Sequence, residues 1–220
     1  MQIKIDMKIL IFALIFFLAN QIKIYIVLMI FAFLHEIGHI FIGTILGFKV
    51  YLFEIKPLGF CVSFNNPIKD YNIKILKATK LEIKKIFIYM AGPIFNISIA
   101  IIVYFLHISD ALKYDIIYIN LILALGNLIP IYPLDGGRII KSVICLFKGI
   151  KKADILTEKI SYIVIIIFLV LSSILFLKVQ NIGLLLVVVY IMLIKIKETT
   201  IFEKRMKLYE LVYNQNGESS

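Results

Sequence analysis

The stretch that decides the fold is residues 24–48, IYIVLMIFAFLHEIGHIFIGTILGF, twenty-five residues without a Lys, Arg or Asp and with one acidic side chain, Glu36. A run of that length and polarity reads as a membrane-spanning helix. The rest of the chain agrees: 61% of its 220 residues are hydrophobic and 17% are charged, more apolar surface than a soluble domain can bury. Further apolar runs at 9–22, 86–109, 116–134, 160–177 and 179–194 bring the expected number of spans to six. A cleaved signal peptide at the first run is disfavoured, since no small-x-small cleavage site precedes Asn20. The expected fold class is therefore an all-α polytopic membrane protein, six transmembrane helices with one small β-hairpin.

The net charge of +10 would in a soluble chain suggest a nucleic-acid partner. Here it follows membrane topology. Counted by alternate segments between the six runs, Lys and Arg divide 21 against 3, and the positive-inside rule places the richer set, both termini and the two long loops, in the cytosol. No nucleic acid is needed to explain it, and the partners expected are a lipid bilayer, its anionic leaflet, a membrane-associated protein substrate and inhibitory membrane partners. Cys61 and Cys145 have no paired spacing and read as two thiols on the reducing side.

Between the second and third runs, 50–55 and 58–64 are β-branched and aromatic, separated by Lys56, Pro57 and Gly59. That pattern predicts a hairpin, expected near the cytosolic interface. Arg138, Lys141 and Lys148 interleave with Ile139, Ile140, Val143, Ile144 and Phe147 as in an interfacial amphipathic helix. The tail from Lys197 reads as a basic helix fraying by Asn214, which divides the chain into a membrane domain over 1–196 and a cytosolic tail over 197–220, with no PDZ or CBS domain expected.

The chemistry begins at His35-Glu36-Ile37-Gly38-His39. On a helix, positions i and i+4 project about 40° apart, so both imidazoles reach one zinc ion, and Glu36 falls about 100° round from His35, beside the metal where a water would sit. Three His and eight Glu in 220 residues would produce this HExxH pattern by chance roughly 0.0015 times, so chance is set aside. An ionisable side chain at such depth is costly unless paired, hydrated or bound to metal.

A catalytic zinc usually has three protein ligands. His107, the third histidine, lies near the outer end of its span and reads as an interfacial residue. Asp135 follows Pro130-Ile131-Tyr132-Pro133-Leu134 and precedes Gly136-Gly137, a stretch of broken helix tolerated at membrane depth only around protein or water. It reads as the third ligand, with a helix N-cap or an Asp-Gly turn as the competing interpretation. Asn96 and Asn127 are polar residues in apolar runs, each a candidate contact to a substrate carbonyl or oxyanion, or an interhelical hydrogen bond.

HEIGH in an early span, Ala91-Gly92-Pro93-Ile94-Phe95-Asn96 opening the third and Pro133-Leu134-Asp135-Gly136-Gly137 ending the fourth resemble the site-2 protease family of intramembrane zinc proteases. The resemblance implies zinc held by His35, His39 and Asp135, with Glu36 as the catalytic acid and base. Within that family the wording from Asn127 to Gly137 resembles the stage IV sporulation proteases, which release a mother-cell sigma factor from its membrane-associated precursor. That likeness implies a pro-sigma-K type substrate, and the mother-cell membrane around the forespore as the location. Other readings are a housekeeping member of the family, acting on an anti-sigma factor or signal-peptide remnants, a non-catalytic scaffold, and a metal transporter. Loss of Glu36 or a ligand would favour the scaffold, and polar residues in several spans the transporter. This chain keeps all four residues and concentrates them in one constellation.

Overall fold

A computed structural model describes residues 2–57, 59–65, 75–107, 109–179 and 182–217. The chain falls into two compact units, Met1–Leu128 and Ile129–Ser220. The first holds strand β1 (Gln2–Ile5), helices α1 (Lys8–Leu18) and α2 (Ile22–Ile45), strands β2 (Lys49–Lys56) and β3 (Gly59–Asn65), and helices α3 (Ile75–Phe105) and α4 (Asp110–Asn127). The second holds α5 (Asp135–Lys148), α6 (Ile150–Val179) and α7 (Ile182–Gly217).

Among the described residues three stretches are long and apolar enough to cross a membrane: Ile22–Ile45, Thr79–Phe105 and Ile150–Ile174. At 1.5 Å per residue α2 measures about 36 Å, against a hydrocarbon core of about 30 Å. Its exposed Ile24, Ile26, Ile30, Phe41 and Ile45 are the surface expected to face lipid. The first expected span is realised as the shorter α1, whose 11 residues cover only about 16 Å. The fourth run, 116–134, is helical only as far as Asn127.

The hairpin forms where expected, with β2 antiparallel to β3 and Lys56 opposite Gly59. Gly59 has φ +144°, a conformation that side chains resist. The hairpin is seated back along α2 and does not project from its end. Phe64 abuts Gly43 and Gly59 faces Ala32. Phe53 and Phe60 meet Phe33 edge-on, with centroids 6.2 and 5.5 Å away. At the far end Tyr25 Oη donates to Pro57 O at 2.9 Å. Aromatic contacts on one face of each strand drive this seating, and alternation alone could not say against which surface that face would pack.

β1 was not foreseen. It adds parallel to β2, Gln2 opposite Leu52 and Ile5 opposite Ile55, and completes a three-stranded sheet in the order β1-β2-β3. Asp6 N–H donates to Ile55 O and Phe16 stacks on Tyr25 with centroids 4.9 Å apart. Both ends of α1 thus lie near the N-terminal end of α2. At the other end of α2 a core of Phe48, Leu81 and Ile88 packs with Ile42, Leu46, Phe64 and Tyr89.

In the second unit Gly149, at φ +78°, turns the chain between α5 and α6. α6 packs against both other helices. α7 continues as one helix through the expected boundary at 196–197 and past Asn214.

Candidate metal centre

α2 positions the two imidazoles as the spacing predicts. His35 and His39 are 3% and 4% exposed, and their Nε2 atoms converge to 3.1 Å. Two zinc–nitrogen bonds of about 2.0–2.1 Å at a tetrahedral angle separate their nitrogens by about 3.3 Å. The pair therefore fits a single ion. His39 Nδ1 lies 2.6 Å from Ile88 O, a partner that can only accept. That contact places the proton on Nδ1 and leaves the Nε2 lone pair for a metal.

The space for that ion is kept by Gly92. A Cβ at this position would stand 2.5 Å from His35 Nε2 and collide with His39 Nε2 and Cε1 as well. Pro93 continues within α3, so the glycine brings the helix backbone up to the two nitrogens without covering them. The sequence motif was visible, but its role was not: a glycine in an apolar helix reads equally as a packing residue.

Glu36 is half-buried, and its Oε2 accepts a hydrogen bond from Val62 N–H at 3.1 Å. Among the described residues β3 pairs with a strand on one side only, with β2. Its outer edge therefore passes along the carboxylate, a link that no periodicity could disclose. Asn96 lies one turn beyond Gly92 on the same face of α3. It is fully buried, and neither amide atom has a hydrogen-bond partner among the described residues. Asn127, by contrast, spends its amide N–H on Leu123 O at 3.0 Å. His107 lies beyond α3, exposed and 15 residues past Gly92, some 20 Å of helix rise.

Asp135 belongs to the second unit. It is the first residue of α5 and buried, whereas Leu134 occupies the N-cap. The N-cap interpretation of Asp135 is thereby corrected, because Leu134 takes the extended conformation that ends the preceding loop. Gly137 packs directly on that loop, where a Cβ would strike the backbone of Ile131 and Tyr132. Cys61 and Cys145 form no disulfide.

The model of peptidase family M50 matches residues 23–111 and 108–172, more than half of the sequence and all of the residues just described. The chain belongs to peptidase family M50. A zinc metalloprotease of Methanocaldococcus jannaschii is 28% identical over 132 residues, which are 59% of this chain and 37% of that relative. This M50 chain thus spans little more than a third of that relative's length. The solved site-2 protease of the same organism matches with a TM-score of 0.65 over 86% of each chain at 24% identity, a likeness of fold.

Proposed function

We propose that this M50 chain is an intramembrane zinc endopeptidase that cleaves a membrane-associated protein near its cytosolic boundary. The observation that carries the reading is the pair of Nε2 atoms 3.1 Å apart facing Gly92, where any Cβ would collide with both, with Glu36 next to His35 on the same turn. Asp135 is the third ligand, an anionic oxygen donor of the kind zinc accepts beside two imidazoles. Its burial, at 6% exposed, supports that assignment.

Bound zinc supplies Lewis acidity toward water and the scissile carbonyl. Glu36 takes the proton from the attacking water and returns it to the leaving amine. His39, fixed by Ile88 O, keeps its Nε2 toward the ion. The Asn96 amide, buried and without a hydrogen-bond partner among the described residues, is the better placed of the two asparagines to hydrogen-bond the substrate carbonyl. The outer edge of β3 next to Glu36, where no described strand pairs, accommodates an extended substrate segment by strand addition, which exposes carbonyls that a helical substrate hides.

The charge asymmetry supports cytosolic placement of the two long basic loops and the C-terminus, with α2, α3, α4, α6 and α7 as crossings. The sixth crossing expected from the sequence is not retained, since α1 is too short. His39 and His35 lie six and ten residues from the end of α2, about 9 and 15 Å from its cytosolic end. The cut therefore releases a cytosolic fragment, and the likeness to the sporulation proteases makes a pro-sigma-K type precursor the first substrate to try. Co-expression with a tagged precursor tests this directly. Cleavage that Glu36→Gln abolishes, with zinc content intact, supports the assignment. Cleavage that persists in the variant removes Glu36 from the mechanism, and a product whose new terminus lies on the external side refutes the geometry. Cleavage of an anti-sigma factor or signal-peptide remnant alone would make this a housekeeping protease.

A further inference from the structure

The second unit carries a buried charge cluster that the reaction as described does not use. Asp154 on α6 is 4% exposed. It takes Lys141 Nζ of α5 at 2.5 Å and Arg205 Nη1 of α7 at 3.2 Å. Tyr209 Oη of α7 donates to its other oxygen at 2.9 Å. A carboxylate so buried is tolerated because three donors compensate its lost hydration. Burial and Asp154 push the Tyr209 phenol up to about 12, so the hydroxyl stays a donor throughout the neutral range.

The two cations serve a second partner. Lys141 Nζ stands 5.0 Å and Arg205 Cζ 5.9 Å from the ring centroid of Tyr132. Two positive groups gather on one aromatic ring only where an anion offsets their repulsion, and Asp154 is that anion. Tyr132 is held at its backbone too, because its N–H donates to Ser161 Oγ at 2.9 Å, and that hydroxyl donates to Thr157 O at 2.8 Å. Asp154, Thr157 and Ser161, at i, i+3 and i+7, form one buried polar stripe on α6. From Tyr132 the chain has three residues to reach Asp135. Over that distance Leu134 N–H is tied to Ile131 O at 2.8 Å, and Gly137 lies on the Ile131–Tyr132 backbone.

We propose that Asp154 is a positioning residue for the metal ligand Asp135: through Lys141 and Arg205 it clamps Tyr132, and so fixes the loop that presents Asp135. The extramembrane part of α7 is thus a strap over the ligand loop. The proposal rests on Asp135 being a ligand, and the experiment separates the two claims.

Zinc-loaded full-length protein in detergent is challenged with a chelator, and zinc release is timed for Asp135→Asn, Asp154→Asn, Asp154→Glu and the double variant. Loss of an outer partner of a metal site typically costs about 10–100-fold in affinity. Asp154→Asn is accordingly expected to release zinc about tenfold faster than wild type, Asp154→Glu to restore most of the retention, and the double variant to be no worse than Asp135→Asn alone. Wild-type retention in Asp135→Asn refutes the ligand assignment and this proposal with it. Fast release from Asp135→Asn beside wild-type release from Asp154→Asn leaves the ligand standing and overturns the proposal. Additive losses in the double variant overturn it also, since Asp154 would then act by some route other than Asp135. Should Asp154→Asn fail to fold, Arg205→Met and its double with Asp135→Asn carry the same test with the Asp154–Lys141 pair preserved.

Discussion

At Gly92 two tendencies oppose each other. Alanine is the better residue for a helix interior by about 0.5–1 kcal/mol, yet its methyl would stand 2.5 Å from His35 Nε2, where the helix backbone leaves no room to retreat. Gly92→Ala is therefore expected to hold almost no zinc, to cleave nothing and to melt below the wild-type temperature, because overpacking of about 1–3 kcal/mol outweighs the helix gain. Thermal unfolding read together with metal content checks both halves, and a zinc-replete, active variant would show that the glycine is only a packing residue. His35, Glu36 and His39 were legible in the sequence because their geometry follows from helical spacing within one element. Gly92 and the Val62 contact to Glu36 were not, because each is a meeting of elements far apart in the chain. Asp135 stood between: its residue type and broken-helix setting marked it, and the structure adds its burial and its place as the first residue of α5.

The helices could be read from long apolar runs, and the hairpin from two alternating runs around Pro57 and Gly59. The depth of the hairpin could not, since alternation specifies that one face is buried and not what buries it. β1 is four residues long and pairs with a strand some fifty residues away, a contact with no local signature. The seating of the hairpin on α2 gives an element-scale expectation. Tyr25→Phe removes the hydroxyl that holds Pro57 O, a loss of roughly 1 kcal/mol, at the end of the sheet farthest from the imidazoles. Zinc retention should be unchanged, amide exchange over 52–57 should quicken, and cleavage should fall a few-fold as the β3 edge loosens beside Glu36. Faster exchange with full cleavage would mean that the hairpin plays no part in holding substrate.

For the whole molecule the open question is how many times the chain crosses the bilayer, and here charge and structure disagree at one place. The 21 against 3 division assigns the N-terminus to the cytosol, which requires α1 to cross with 11 helical residues, about half the hydrocarbon thickness. Snorkelling by Lys8 and Lys23 recovers only part of the shortfall. The structure instead brings both ends of α1 to the N-terminal end of α2: Asp6 bonds Ile55 beside the hairpin tip, and Phe16 stacks on Tyr25. Moving Lys4 and Lys8 to the external side changes the charge division little, because the two long loops and the tail hold most of the Lys and Arg. Single cysteines introduced at Lys80 and Lys151 should accordingly react with a membrane-impermeant reagent only from the cytosol, and one at Lys113 only from outside. A cysteine at Lys4 should resist the cytosolic reagent. Labelling of Lys4→Cys from the cytosol at the rate of Lys80→Cys would restore the sixth crossing, and reversal at Lys80, Lys113 and Lys151 together would invert the chain and move the proposed cleavage to the external side.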